Sequence, residues 1–313
     1  MTEISERDIR RICHLYYKEK KKQEEISGII GVSRFRICRI LKEAWKDNII
    51  SVVINDPWVD LTQVETAIVK KFQIQLAIVV QNNEFGGEPP EAQVAKAGAD
   101  YLRKVVGLHN IVGVAWGQTL YQLVSQLKPI KCNGLTLVQL AGTLGTIEGT
   151  DNNMLTVMFG QKLGVSSRLI PAPVIVQSQK IKDTILKEKK IQETLTIARK
   201  ASLAIFGVGL ANVQGLLWKL GFLNETDASE LRKARAVGAI CGRFFDTNGR
   251  QCWHKLDNRT IGLDLDEIKR IKQKVGVAVG MEKVKAICGA LKGGLIDVLI
   301  TDELTAKELL KEE

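Results

Sequence analysis

The stretch KQEEISGIIGVSRFRICRILKEAW, residues 22–45, decides how the N-terminal part of this chain folds. Ile26, Ile29, Ile30, Val32, Ile37, Ile40 and Leu41 recur at spacings that can line the inner face of two helices meeting at a sharp turn. Gly31 stands where such a turn needs a residue tolerant of positive φ. Ser33 suits the N-cap of the second helix, its hydroxyl accepting from one of the N–H groups that a first turn leaves unpaired. Arg34, Arg36 and Arg39 follow directly. From Ser33 to Lys46 the helix would be about 20 Å long, enough to lie across the major groove of duplex DNA. An ordinary helix pair with a solvated basic face would carry a similar charge run. The coincidence of turn glycine, cap, apolar spacing and arginines favours a helix-turn-helix. Ser33, Arg34, Arg36 and Arg39 are its expected DNA contacts, with Gln23 at the head of the first helix gripping the backbone.

Upstream, residues 6–18 place Ile9, Ile12, Cys13, Tyr16 and Tyr17 on one side of a supporting helix. Downstream, the β-branched run IISVVIN (49–55) suits a strand or wing, and Asn55-Asp56-Pro57 breaks it. The reading therefore sets a winged helix-turn-helix domain over 1–55. A linker helix over 56–73 follows, with a helical pattern at 60–72. From 74 to 313 short apolar runs alternate with helix-length amphipathic stretches. The runs are 76–80, 111–115, 135–140, 203–206, 275–279 and 296–300, and the helical stretches 91–106, 118–127, 152–163, 181–200, 212–220 and 281–291. Strands apolar on both faces and separated by helices predict an α/β fold, a large parallel sheet covered by helices. The basic segment 180–201 reads as one long helix with a solvated face.

Charge is unevenly spread. Residues 1–55 hold twelve Lys/Arg against eight Asp/Glu, whereas the remaining 258 residues hold 33 against 27. A small basic module on a near-neutral body suits attraction to a phosphate backbone, though the excess is modest. The six cysteines are scattered, without a C-x-x-C pair or a histidine at metal spacing, so no metal site, cofactor or disulfide framework is expected. With no signal-peptide pattern and no apolar run long enough to span a bilayer, the expected setting is the reducing cytoplasm, with no membrane partner.

Several apolar runs end in glycine, which lets backbone N–H groups approach an anion at the carboxyl ends of the strands. Run 111–115 continues as Trp116-Gly117-Gln118-Thr119 and run 135–140 as Ala141-Gly142-Thr143-Leu144-Gly145. Run 203–206 leads to Gly207-Val208-Gly209, and run 275–279 to Gly280-Met281-Glu282-Lys283. Glycines in such places also serve tight turns; four in one sheet point to a pocket for a phosphorylated small molecule. The expected lining is Gly113, Trp116, Gly117, Gln118, Thr119, Gly142, Thr143, Asn153, Gly280 and Lys283. Lys283 would supply a point charge for a phosphate, and Trp116 would cover the ligand or pack beneath the sheet. Asn153 would reach a hydroxyl or cap its helix.

These residues also resemble a known family. LYY (15–17) and Gln23…Ile26…Gly31-Val32-Ser33-Arg34…Arg39-Ile40-Leu41…Ala44 carry the likeness at the N-terminus. In the body it rests on VGVAWGQTL (112–120), VQLAG (138–142), AVGAICGRFFD (236–246), DNRTIGLDL (257–265) and GLIDVLITDELTA (294–306). The chain is similar over nearly its whole length to the SorC family of sugar-responsive bacterial transcription regulators. That resemblance implies a body fold shared with sugar-phosphate isomerases and deaminases, a phosphorylated sugar as effector, and assembly into a homo-oligomer, dimer or tetramer. It also implies a regulator, of the repressor kind, acting on double-stranded operator DNA of a carbohydrate-utilisation operon. Ala141 stands where deoxyribonucleoside-type members carry a lysine that forms an imine with an aldehyde effector. Ala239 stands where the family commonly has an aspartate. Both changes remove polar reach from the expected pocket.

Two other readings compete. An isomerase- or deaminase-like enzyme would need a base at the strand ends, for which the loops offer only Glu148 and Asp151. A DNA-binding scaffold whose body merely oligomerises would respond to no sugar phosphate.

Overall fold

The computed structural model describes residues 4–46, 49–50, 59–81, 88–145, 152–252 and 254–312. The chain forms two compact units, Met1–Val59 and Asp60–Glu313. Most of the segment expected as a wing, from Ser51 onward, and the loop residues Glu148 and Asp151 lie outside the described residues.

Among its described residues the first unit holds three helices, α1 (Glu6–Cys13), α2 (Gln23–Ile30) and α3 (Arg34–Lys46); α1 continues into a π-helical turn over His14–Lys18. Ser5 caps α1 by accepting from the Asp8 N–H, and Glu6 and Asp8 sit favourably at the positive end of its dipole. Its core is Ile12, Cys13 and Leu15 from the first segment, Ile26 from α2, and Ile37, Ile40, Leu41 and Ala44 from α3. Spacing of i, i+3, i+4 and i+7 in the last set makes one apolar stripe, so α3 buries a single face.

The second unit begins with α4 (Val59–Phe72), whose Leu61 and Ile68 are buried in the body's larger apolar cluster. The helix expected as a connector therefore belongs to the body. Its main sheet has seven strands in the order β1-β10-β9-β5-β2-β3-β4. They are β1 (Leu76–Val80), β2 (Ile111–Val114), β3 (Thr136–Gln139), β4 (Ser167–Arg168), β5 (Leu203–Gly207), β9 (Gln273–Val277) and β10 (Val298–Asp302). All pairings are parallel. Each of the six apolar runs supplies one strand; β4, two residues long, is an edge the sequence does not announce. The remaining strands, β6 (Gly209–Leu210), β7 (Gly238–Ile240) and β8 (Arg243–Phe245), form a small antiparallel sheet.

Successive residues of a strand feed opposite cores. Leu203 and Ile205 of β5 join one apolar cluster, and Ala204 and Phe206 join the other. The sheet is thus covered on both faces, as parallel sheets are. Helices α5 (Pro90–Val105), α6 (Gln118–Gln126) and α7 (Asn152–Leu163) contribute to the cluster that holds Leu203 and Ile205. The stretch expected as one long helix is two, α8 (Gln179–Ile185) and α9 (Lys189–Ala198). No residue of α8 is buried, whereas Ile191, Thr194, Leu195 and Ala198 of α9 are. Of the stretch 212–220, only Leu216–Lys219 is helical.

Strand order locates a crevice before any side chain is considered. From β2 the chain steps outward to β3 and β4, then returns to β5 on the other side of β2 and proceeds to β9 and β10. The reversal falls between β2 and β5, and ligands of open α/β sheets bind outside the carboxyl ends of strands at such a point.

Candidate DNA-binding helix and effector cavity

In the first unit the turn between α2 and α3 is closed by three local interactions. Gly31, at φ 77°, ends α2 and donates its N–H to the Ser27 carbonyl at 2.9 Å. Ser27 Oγ donates to the Val32 carbonyl at 2.5 Å. Ser33 Oγ then accepts from the Arg36 N–H at 3.4 Å, the geometry of a cap. At the other end of α2 the Lys22 N–H donates to Glu25 Oε2 at 3.0 Å.

The three arginines diverge. Arg34 Nη1 lies 3.3 Å from Glu24 Oε1 on α2, and together they border an open notch with Tyr16, Lys20, Lys21, Lys22 and Gln23. Arg36 is half-buried on the flank of α3. Arg39 is exposed and within 3.3 Å of Glu43. With Phe35, Lys42 and Lys46 it forms an i, i+4, i+7, i+11 stripe on the side of α3 away from the buried one. Counting arginines in the sequence missed Phe35, Lys42 and Lys46; the phase of the buried stripe was the signal that marks them. Exposed ion pairs such as Arg34–Glu24 are worth about 0–1 kcal/mol, so a phosphate can take either arginine from its partner.

In the second unit the crevice between β2 and β5 opens into a cavity of about 750 Å³. Trp116, Gly117, Gln118 and Thr119 form one wall, and Gly207, Val208 and Gly209 face them. Gly117, at φ 147°, precedes α6 in a conformation open to glycine, so the first N–H groups of that helix are presented to the crevice. A helix start of this kind favours an anion. Lys283 stands on the short turn Met281–Lys283 and also lines the cavity. Burial pushes its ammonium below the usual lysine range, and the carboxylates of Glu282, Glu91 and Asp302 oppose that shift. No described residue hydrogen-bonds this ammonium. Gly280, at φ 115°, fixes the approach to the turn by donating its N–H to Thr305 Oγ1 at 3.0 Å and Asp302 Oδ1 at 3.4 Å.

The hairpin between β7 and β8 forms part of the lining through Ala239, Cys241 and Gly242. Cys241 (φ 53°) and Gly242 (φ 76°) are both left-handed, as a two-residue turn matching the twist of its strands requires. Burial raises the Cys241 thiol to about 12, so it stays protonated and apolar in character. Beside the turn, Arg243 is buried and holds the adjoining loop. It donates from Nε to the Leu263 carbonyl at 3.0 Å, from Nη1 to the Asp257 carbonyl at 3.1 Å, and from Nη2 to the Gly262 carbonyl at 3.0 Å and the Thr260 carbonyl at 3.3 Å. Asp257 Oδ1 lies 3.3 Å from Nη1.

Of the residues expected in a ligand site, Trp116, Gly117, Gln118, Thr119 and Lys283 come together around the cavity, with Gly280 beside them. Four others lie elsewhere. Gly113 is a packing glycine in β2, where an added β-carbon would come within 2.3 Å of Leu140 Cδ2. Gly142 donates to the Ile261 carbonyl at 3.0 Å and has the Ala172 carbonyl 2.5 Å from where its β-carbon would be. Thr143 donates its N–H to the Ala172 carbonyl at 2.7 Å. Asn153 Oδ1 accepts from Gln139 Nε2 at 2.9 Å, part of an interior polar node with Thr156. Ala141 is buried and bridges Gly262, whereas Ala239 does reach the cavity. Glu91, Gln214 and Lys219 also line it, from elements distant in sequence, and no local motif announces them. Among the described residues no cluster of His, Cys, Asp and Glu could hold a metal ion, and no helix is long and apolar enough to cross a membrane.

Comparison with known proteins agrees with this two-part construction. The family model described as "Putative sugar-binding domain" matches residues 56–311. The deoxyribonucleoside regulator of Bacillus subtilis is 31% identical over 305 residues, covering 96% of this chain and 96% of that protein. The sorbitol operon regulator of Klebsiella pneumoniae is 26% identical over 309 residues, with 96% of each covered. The full-length crystal structure of that sorbitol operon regulator superposes with a TM-score of 0.76 at 26% identity, covering 97% of this chain and 98% of that one. A DeoR family transcriptional regulator from Listeria monocytogenes gives a TM-score of 0.73 at 28% identity over 79% of this chain and 98% of its own. These relatives are named as regulators, and none of the names is that of an enzyme. The chain belongs to the SorC-type family of transcriptional regulators that carry this sugar-binding domain.

Proposed function

We propose that this regulator represses a carbohydrate-utilisation operon and releases or rearranges on its DNA when a phosphorylated sugar enters the cavity between β2 and β5. One observation carries the effector reading: the glycine-led start of α6 and the desolvated ammonium of Lys283 line the same crevice. Either feature alone is ordinary. Together they provide backbone donors, a favourable dipole and a mobile positive charge for a phosphate. Ala239 and the protonated Cys241 make the hairpin wall weakly polar, which favours a sugar with few hydroxyls on that side.

The DNA-contacting set is Gln23, Ser33, Arg34, Arg36 and Arg39. The outward stripe of α3 meets base edges, and the notch bordered by Lys20, Lys21, Lys22 and Arg34 meets phosphates. A dimer or tetramer working in the cytoplasm would present two such helices to half-sites about 34 Å apart or a multiple of that distance. Effector binding alters affinity only if it favours one arrangement of the copies over another.

The test is a thermal-shift panel of phosphorylated and unphosphorylated sugars on the full chain. A ligand at 100 times its Kd stabilises the folded state by about 2.7 kcal/mol. Stabilisation by a phosphorylated member and not by its parent sugar supports the reading. A flat panel supports a scaffold instead, and turnover of a sugar phosphate would support an enzyme.

A further inference from the structure

We infer that Phe35 reads a thymine: its ring meets the C5-methyl of one thymine in each operator half-site. The inference rests on α3 being the helix that enters the groove and adds to that reading a specificity residue of a kind unlike its arginines. Phe35 is 89% exposed, more than any other large apolar side chain among the described residues. It is the second residue of α3, in the first turn after the Ser33 cap, where recognition helices present side chains to base edges.

Its neighbours identify the partner. Arg39, Lys42 and Lys46 continue the same stripe, opposite the buried Ile37, Ile40, Leu41 and Ala44. An aromatic ring at the head of a row of cations suits a polyanion with an apolar group at its surface, and suits an apolar protein groove poorly. In the DNA major groove, the C5-methyl of thymine is the apolar group on the base-pair edges, and phenylalanine is among the side chains that contact it. Hydrogen bonds from Arg39 would fix a neighbouring base. Phe35 would impose A·T at a position where an arginine cannot.

The test starts with duplexes selected by the full chain from a random pool. Each thymine in the winning sequence is then replaced by deoxyuridine, which keeps the pairing and removes only the methyl. The expected result is one symmetry-related position where uracil weakens binding about fourfold, the value of one buried methylene-sized group. Phe35→Ala should bind the thymine duplex as weakly as the parent binds the uracil one, and should no longer distinguish the two. Because the ring is exposed, its removal should leave the melting temperature unchanged. A parent protein indifferent to every substitution, or Phe35→Ala retaining the parent's thymine preference, overturns the assignment while leaving DNA binding intact. Dissociation of Phe35→Ala into smaller oligomers in sedimentation would place the ring against a second copy, and also overturns it. Failure to select any duplex would instead remove the DNA-binding reading, and this inference with it.

Discussion

Gly117 and Gly207 face each other across the switch point of the sheet, so close that a β-carbon built on Gly117 would stand 3.9 Å from the Gly207 α-carbon. Gly117 follows β2 and Gly207 ends β5, neighbours in the sheet that belong to opposite directions of winding. The crevice between them is therefore a property of topology, and the glycines keep its mouth free of side chains.

The two glycines should respond differently to substitution. Gly117 holds φ 147°, so Gly117→Ala is strained whatever the space around it and should cost about 1–3 kcal/mol, read from chemical denaturation. At Gly207 an added β-carbon meets the Trp116 and Val277 carbonyl oxygens at 3.6 and 3.7 Å, ordinary contacts. Gly207→Ala should leave stability within about 0.5 kcal/mol. Equal costs at both positions would contradict this account of the crevice.

Lys283 ties the cavity to pH. Its pKa in the folded chain lies below the value of an exposed lysine because burial penalises the charge. Between those two pKa values the unfolded chain holds more protons than the folded one, so stability rises with pH in that window. Below the folded pKa both forms are protonated and the burial penalty is present in full. Lys283→Met should therefore raise the melting temperature most at pH below the folded pKa, with the gain shrinking as pH climbs through it towards the unfolded one. The same variant should bind a phosphorylated effector about 1.5–3 kcal/mol more weakly, the value of a hydrogen bond to a charged group. Calorimetric titration across pH tests both statements; unaltered affinity would take Lys283 out of the site.

Arg243 should matter for stability well beyond its single charge. Replacing it by Met takes the guanidinium donors from the Leu263, Thr260 and Gly262 carbonyls and removes the positive charge beside the buried Asp257 carboxylate. The expected loss is about 3–5 kcal/mol, as when one half of a buried ion pair is removed. Urea denaturation checks it, and a loss under 1 kcal/mol would mean that water replaces the guanidinium.

On DNA, Arg39→Ala should weaken specific binding by about 1–3 kcal/mol while changing binding to random duplex little. Arg34→Ala, which acts from the notch beside Glu24, should weaken both to a similar degree. Competition binding at two salt concentrations separates the cases, since a lost phosphate contact also flattens the salt dependence. Interchanged behaviour would reverse the two roles.

Much of this molecule was legible from local pattern. The apolar runs at 76–80, 111–115, 135–140, 203–206, 275–279 and 296–300 are strands of one parallel sheet, because burial on both faces demands near-continuous apolar sequence. What escaped was either too short or too dependent on distant partners. β4 is two residues at an edge, and β6 to β8 are built from Gly, Ala and short aromatic segments that carry no strong period. The break between α8 and α9 has no glycine or proline to mark it; Ile191 and Leu195 are drawn into an apolar cluster with Ile170 and Ile261, and α8 buries nothing.

At the sites the same division holds. Trp116, Gly117, Gln118, Thr119 and Lys283 were visible because strand-end glycines leading into helices carry a local signature. Gly113, Gly142 and Thr143 share that composition but serve close packing of backbone and side chains, a distinction that only three-dimensional neighbours make. Glu91, Gln214 and Cys241 reach the cavity through chain returns that no spacing reveals. On α3, charge drew attention to Arg34, Arg36 and Arg39, whereas the helix phase set by Ile37, Ile40, Leu41 and Ala44 turns Phe35 outward together with Arg39.

The most direct measurement is the affinity of the full chain for its selected duplex, titrated with a phosphorylated sugar that shifts its melting temperature and, in parallel, with the unphosphorylated parent sugar. The account predicts a change of at least about tenfold, the equivalent of roughly 1.4 kcal/mol of coupling, with the phosphorylated compound alone, and its loss in Lys283→Met. An affinity that stays constant, or one that moves equally with the parent sugar, would contradict it.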